Sequence, residues 1–109
     1  MYKFNGFTEK ANEALNLAIG VAREFSHTYI GSEHLLIGIL REGSGAAAQI
    51  LISREITAQN VENLLAETVG KGEQTELSPA QFTPRAKRIV EMSAGLARAS
   101  GVSFVGTEH

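Results

Sequence analysis

The chain has 109 residues, enough for a single domain with its own core but too few for a second module. Its formal charge of -2 at pH 7 provides no basic field of the kind that non-specific nucleic-acid binding requires, and the lack of cysteine excludes disulfides, thiolate metal sites and cysteine nucleophiles. No segment has the length and apolarity of a signal peptide or a membrane span. We therefore expect a cytoplasmic protein that binds neither nucleic acid nor membrane.

The first predicted elements are two amphipathic helices joined by a short turn. Apolar residues with helical spacing run from Phe7 to Phe25. Thr8 precedes this stretch as an N-cap, a position where a hydroxyl oxygen accepts a hydrogen bond from the first turn. The second helix is expected to have Ser32 as its N-cap and Glu33 in its first turn, where the helix dipole favours a carboxylate.

Two shorter helices are predicted after the break at Gly43-Ser44-Gly45. The third covers residues 46–52, and small residues at its start allow close packing. The fourth has Thr57 as its N-cap and ends at Gly70-Lys71-Gly72. Its predicted buried side consists of Val61, Leu64, Leu65 and Val69.

Residues 71–81 predict a polar linker before the last helix. The sequence Ser78-Pro79-Ala80-Gln81 imitates a capping box, but a helix starting there would have to pass through Thr83-Pro84, where the proline ring disfavours a helical residue before it. We therefore expect Thr83 to be the N-cap and Pro84 the first helical residue. The apolar positions of this fifth helix are Ala86, Ile89, Val90, Ala94 or Ser93, Leu96 and Ala97, and Gly101 ends it.

The segments 7–34 and 82–109 are two copies of one unit. A shift of 75 positions aligns them with nine identities in 28 pairs, including Phe-Thr at the start and Gly-x-Glu-His at the end. This repeat predicts an all-α domain over residues 1–109, built from two pseudo-symmetric four-helix units. Repeat one covers 7–70, and the partial repeat two covers 82–109.

Repeat two stops at the start of its own second helix, so we expect an uncovered apolar face. Either the chain is cut short or another chain supplies the missing packing.

No catalytic or metal-binding residue is predicted. A zinc protease motif needs two histidines four apart on one helix, whereas His27 and His34 are separated by a predicted turn. The sequence contains neither a nucleophile elbow nor a phosphate loop. We expect His34 to hydrogen-bond near its helix start and to fix the preceding turn.

Each copy combines a hydroxyl N-cap with a carboxylate at the start of the next helix: Thr8 with Glu33, and Thr83 with Glu108. A helix N-terminus suits an anion, and a carboxylate suits a guanidinium. A pocket formed by both would prefer a ligand that carries both charges. The alternative is that each glutamate only complements the dipole of its own helix.

These same residues resemble a known family. The pattern Phe7-Thr8, Ile30-Gly31-Ser32-Glu33-His34-Leu35-Leu36, with its second occurrence at Phe82-Thr83-Pro84 and Gly106-Thr107-Glu108-His109, is similar to the N-terminal domain of ClpC-type Hsp100 unfoldases. In that family the domain precedes two AAA+ ATPase rings that feed substrates to the ClpP peptidase. The resemblance implies a non-enzymatic docking domain without a cofactor of its own, since ATP belongs to the parent protein.

The resemblance also implies partners and site residues. Adaptor proteins and unfolded or phosphoarginine-marked substrates are the expected partners, and Thr8, Glu33, Thr83 and Glu108 are the expected phosphoarginine-binding residues. An exposed patch of Phe4, Phe82 and Lys87 is expected to bind adaptors, although both phenylalanines could instead pack in the core. Two other functions stay open, namely docking of adaptors alone, and a free-standing helical scaffold that dimerises through its uncovered face.

Overall fold

A computed structural model describes residues 1–68 and 76–109 of the chain. These residues contain five α-helices and a single 3-10 turn at Pro79–Gln81. They contain no β-strand, only two isolated bridges, so the predicted all-α fold is confirmed. The helices are α1 (Glu9–Glu24), α2 (Ser32–Glu42), α3 (Ala46–Ser53), α4 (Ala58–Thr68) and α5 (Pro84–Ala99). The predicted end of α4 at Gly70-Lys71-Gly72, Val69 and linker residues 71–75 lie outside the described residues.

Three threonine N-caps lie where the sequence predicts them. The hydroxyl of Thr8 accepts a hydrogen bond from the Ala11 N–H at 3.1 Å, and that of Thr83 accepts one from the Ala86 N–H at 3.0 Å. The hydroxyl of Thr57 caps α4 in the same way. Each oxygen satisfies an N–H that has no partner within its own helix.

The start of α2 differs from the expectation. Ser32 is the first helical residue, and Gly31 is the N-cap. Glycine has no side chain that could accept a capping bond from the first turn. Instead, the Gly31 backbone N–H donates a hydrogen bond to the side-chain Nδ1 of His34 at 2.8 Å. The prediction that His34 fixes the preceding turn is confirmed.

The Ser78 capping box is real but produces only the 3-10 turn. The Ser78 N–H donates to Oε1 of Gln81 at 2.8 Å, and the turn ends at Phe82. The helix does not continue through Thr83-Pro84, as the sequence predicts. The described end of the linker is less polar than expected, because Leu77 is buried in the core.

The core lies between α1 and α2. The two helices approach so closely at Gly38 that an added Cβ would lie 2.9 Å from the backbone nitrogen of Ala18. Ile19 is buried, whereas Leu64 of the predicted buried side of α4 is exposed. The central cluster contains Leu15, Ala18, Ile19, Ala22, Ile30, Leu35, Leu77, Phe82 and Ala86.

The exposed face of α5 is apolar. Ile89, Met92 and Leu96 all lie at the surface, although the helical spacing of Ile89 and Leu96 predicts burial. The expected uncovered face is therefore present on the side of α5 that corresponds to the α2-covered side of α1.

Within residues 1–68 and 76–109, no single helix has the length and apolar character needed to cross a membrane. Only α2 and α3 taken together pass that test, and they meet at an angle of 91°.

Candidate functional site

The two helix starts are each joined to the opposite repeat. The Thr8 N–H donates to the carbonyl of Val105 at 2.8 Å, and the Val105 N–H donates to the carbonyl of Gly6 at 2.8 Å. In the mirrored arrangement, the Thr83 N–H donates to the carbonyl of Ile30 at 2.9 Å, and the Ile30 N–H donates back to Gln81. One parallel bridge therefore joins Phe7 to Val105, and another joins Ile30 to Phe82. Val105 and Ile30 each directly precede a Gly-x-Glu-His segment.

This exchange changes the predicted pairing of the site residues. Thr83 lies beside the segment that leads into Glu33, and Thr8 lies beside the segment that leads into Glu108. The sequence predicts that each threonine pairs with the glutamate of its own copy, whereas the backbone bonds join each threonine to the segment before the opposite copy's glutamate. We call the two arrangements the Glu33 site, formed by Thr83 and residues 30–33, and the Glu108 site, formed by Thr8 and residues 105–108.

Both carboxylates lie over the N-terminal glycine of their own segment. A Cβ added to Gly31 would meet Cδ of Glu33 at 2.9 Å, and one added to Gly106 would meet Cδ of Glu108 at 2.9 Å. The contacting atoms are the flexible ends of the glutamate side chains, so the contacts place each carboxylate over its glycine. Glu33 lies in the first turn of α2, which agrees with the dipole interpretation, and its side chain is 36% exposed. Glu108 lies in a turn rather than at the expected helix start.

Three rings pack together beside Glu33: the buried His27 and His34 and the half-buried Tyr29. Tyr29 stacks on His27 with ring centroids 5.4 Å apart, and burial together with the Glu33 charge raises the pKa of Tyr29. Burial lowers the pKa of His34 to about 4, although the Glu33 charge acts in the opposite direction. Tyr29 and His34 are therefore uncharged at neutral pH, and Glu33 is the charged group at this helix start.

The predicted adaptor patch is not formed as expected. Phe82 is only 8% exposed and belongs to the central cluster, so it cannot be part of an exposed patch. Phe4 is partly buried and stacks on Phe82 with centroids 6.3 Å apart. Lys87 is exposed. Phe4 and Phe82 follow the alternative of core packing, because the amino-terminal segment is held on α1 by the Asn12 side chain, which bonds both N–H and carbonyl of Phe4.

Thr107 is a residue of the Glu108 site that the sequence did not single out. Its hydroxyl lies at the start of α3, where it accepts a hydrogen bond from the Ala47 N–H at 3.5 Å. An added Cβ on Gly45 would meet Cγ2 of Thr107 at 3.1 Å. The signal was available in the alignment of the copies, since Thr107 occupies the position of Ser32.

The described residues include no cluster of three or more His, Cys, Asp or Glu side chains that could hold a metal ion.

Comparison with known proteins identifies the family. Residues 6–109 match the Clp repeat (R) N-terminal domain. The chain belongs to this family. The Clp repeat domain described here is 39% identical over 106 residues to the negative regulator of genetic competence ClpC/MecB of Bacillus subtilis, and 42% identical over 106 residues to the chaperone protein ClpB of Oceanobacillus iheyensis.

These alignments cover 97% of this chain but 13% of each relative, so the chain spans about an eighth of their length. The crystal structure of the N-terminal domain of the chaperone ClpD from Arabidopsis thaliana shares the fold, with a TM-score of 0.80 at 20% identity. The superposition covers 98% of this chain and 75% of that one. The chain is therefore an N-terminal domain of the kind found in Hsp100 unfoldases.

Proposed function

We propose that this domain receives protein substrates for a ClpC-like unfoldase, and that its two sites bind phosphoarginine side chains on those substrates. The observation that carries the proposal is the exchanged backbone geometry: a threonine-capped helix start from one copy is hydrogen-bonded to the residue three positions before a glutamate of the other. Phosphoarginine carries a phosphate and a guanidinium on one side chain, and each site offers one group of suitable charge to each.

The phosphate is assigned to the α5 start in the Glu33 site. The Thr83 hydroxyl oxygen already accepts from the Ala86 N–H, but its hydrogen can still donate to a phosphate oxygen. The positive end of the α5 dipole favours an anion there. Arg85 in the first turn of the helix adds a mobile cation at the surface.

The guanidinium is assigned to Glu33. A carboxylate can accept two parallel N–H bonds from a guanidinium, and such a charged pair is stronger than a neutral hydrogen bond. Glu33 starts the helix that follows Ile30, and Ile30 accepts the Thr83 N–H, so acid and hydroxyl are held on adjacent backbone. The rigid backbone link fixes the relative positions of the two groups before a ligand arrives.

The test is calorimetric titration with free phosphoarginine. Changing Glu33 to Ala should weaken its site by about 2 kcal/mol, roughly 30-fold, because a charge-assisted pair is lost. Glu91→Ala, an exposed glutamate in the third turn of α5, is the matched control and should bind as wild type. Equal affinity in wild type and the Glu33→Ala, Glu108→Ala double variant would refute phosphoarginine binding by these sites.

Adaptor proteins are the second class of partner that we propose, on the basis of an apolar surface. A cavity of about 90 Å³ beside the Glu108 site is lined by Leu35, Ile39, Ile89 and Val90. Its rim on α5 includes exposed Ile89, with Lys87 exposed nearby. Sedimentation separates this from a dimerising scaffold, because only the scaffold predicts self-association of the isolated domain.

The remaining activities belong to the proposed parent protein. We propose that it hydrolyses ATP in AAA+ rings and passes docked substrates to a ClpP-type peptidase, as the resemblance implies. A domain that binds adaptors but no phosphoarginine would favour the adaptor-only function.

A further inference from the structure

Two buried histidines, His27 and His34, lie next to the Glu33 site. His27 is 5% exposed and His34 is fully buried. Nδ1 of His27 and Nε2 of His34 are 2.7 Å apart, and Nδ1 of His34 accepts the Gly31 N–H. A continuous chain of hydrogen bonds therefore runs from the α1–α2 turn to the residue that caps α2.

Which nitrogen donates and which accepts in these bonds follows from the Gly31 N–H, the one group that can only donate. The Gly31 N–H can only donate, so Nδ1 of His34 must be unprotonated. An uncharged His34 then carries its hydrogen on Nε2 and donates it to Nδ1 of His27. Both rings are uncharged in this arrangement, with the remaining hydrogen of His27 on Nε2.

Charging His34 would break this arrangement at Gly31. A hydrogen on Nδ1 would face the Gly31 N–H, so two donors would oppose each other where one bond existed. The Glu33 carboxylate, 3.9 Å from the same nitrogen, would then be the nearest acceptor. The charged groups that act on His34 within the described residues are Glu33 on its own helix and His27 on the turn, with Tyr29 packed against both rings.

We infer that His27 and His34 are positioning residues for the Glu33 site, which binds its guanidinium-bearing ligand only while His34 is uncharged. The inference rests on the proposed function of that site. An uncharged pair locks Gly31 and leaves the Glu33 carboxylate directed to the ligand. A charged His34 releases Gly31 and draws the carboxylate inward. Burial holds the His34 pKa at about 4, so the site keeps its competent form throughout the neutral range.

The Glu108 site provides an internal control. Its Gly106 N–H donates to Nδ1 of His109 at 2.9 Å, as Gly31 donates to His34. The position that corresponds to His27 is Val102, so this copy has the glycine bond without the histidine pair. A change at position 27 should therefore affect the Glu33 site and leave the Glu108 site unchanged.

The experiment places an anionic or a neutral acceptor at position 27. His27→Asp puts a carboxylate beside His34, which should raise the His34 pKa toward 6.5 or above. His27→Asn has nearly the same shape and keeps a neutral acceptor. In a Glu108→Ala background, His27→Asp should bind phosphoarginine about fourfold more weakly at about pH 6 than at about pH 8. His27→Asn and the parent should show no such change.

The same measurements in a Glu33→Ala background should show no effect of His27→Asp, because the Glu108 site lacks the pair. Equal pH profiles for Asp and Asn variants in the Glu108→Ala background would overturn the inference. Nitrogen NMR of the wild-type rings is the second measurement: hydrogen on Nε2 of His34 at neutral pH supports the pair, and hydrogen on Nδ1 overturns it. Failure of phosphoarginine to bind at any pH refutes the proposed function, while the ring spectra still decide the histidine arrangement.

Discussion

The Glu33 and Glu108 sites have the same backbone geometry but different surroundings. Each has a threonine N–H bonded to the opposite copy and a glutamate seated on a glycine. The facing helix of the Glu33 site begins with Pro84, whereas that of the Glu108 site begins with Glu9, a negative charge where a phosphate would bind. Duplication preserved the hydrogen bonds that build the site, and local substitutions changed its charge.

The helices behind the two sites differ even more. α1 is covered by α2, and its Val21 is fully buried. The corresponding residue of α5 is Leu96, which is 53% exposed. The same amphipathic pattern therefore contributes to stability in one copy and supplies apolar surface in the other.

The largest expected effect on stability comes from disrupting the packing of α2 on α1. Gly38→Ala should lower the free energy of unfolding by about 3 kcal/mol, since its Cβ would press on the backbone of Ala18. Gly95→Ala is the control on α5, where an added Cβ meets nothing within 4 Å. It should stabilise by about 0.5–1 kcal/mol through helix propensity. Urea denaturation measures both, and equal destabilisation would contradict the close approach of α1 and α2.

Truncating corresponding residues should give the next largest difference. Val21→Ala should cost about 2.5 kcal/mol, because it leaves a cavity under α2. Leu96→Ala should cost less than about 1 kcal/mol, since the side chain is already half in water. Thermal unfolding of the two variants tests this, and similar losses would show that the α5 face is covered in solution.

Acid should destabilise the domain through His34. Its folded pKa of about 4 lies below the ordinary 6.5, so the unfolded chain binds the proton more readily. This contribution is complete well above pH 6.5 and is lost as the pH falls toward 4, by about 3 kcal/mol. His34→Asn keeps an acceptor for the Gly31 N–H without titrating, and should flatten this part of the profile. An unchanged slope in urea midpoints between pH 7 and 4.5 would place the acid-sensitive group elsewhere.

The smallest expected effect concerns the difference in charge between the Glu33 and Glu108 sites. Glu9→Ala removes a negative charge from the first turn of α1 and should strengthen phosphate binding at the Glu108 site by about two- to fivefold. Glu13→Ala, an exposed change one turn further along, is the control. Titration in a Glu33→Ala background isolates the Glu108 site, and a weaker complex after Glu9→Ala would contradict the assigned phosphate position.

Local patterns predicted most of the helical architecture. Thr8, Thr57 and Thr83 were assignable as caps because a cap depends on residues within one turn. The role of His34 was also accessible, since its partner Gly31 lies three positions away. The repeat was visible because the identities keep one constant offset of 75.

Errors arose where the environment comes from distant parts of the chain. The sequence predicts Phe82 at the surface and Leu77 in a polar linker, but both are buried in the central cluster with residues of α1. Leu64 has the helical spacing of a core residue, yet it is 64% exposed. Spacing identifies a face of a helix, and the packing of other helices decides how much of that face is buried.

The sequence by itself determined the repeat, and from it the prediction of two sites that each combine a hydroxyl with a carboxylate. Tertiary structure alone decided which threonine lies beside which glutamate-bearing segment, because the hydrogen bonds from Thr8 to Val105 and from Thr83 to Ile30 cross between the copies. A pseudo-two-fold arrangement can pair the same groups within a copy or between copies with identical local patterns. Only the backbone contacts of the folded chain distinguish the two.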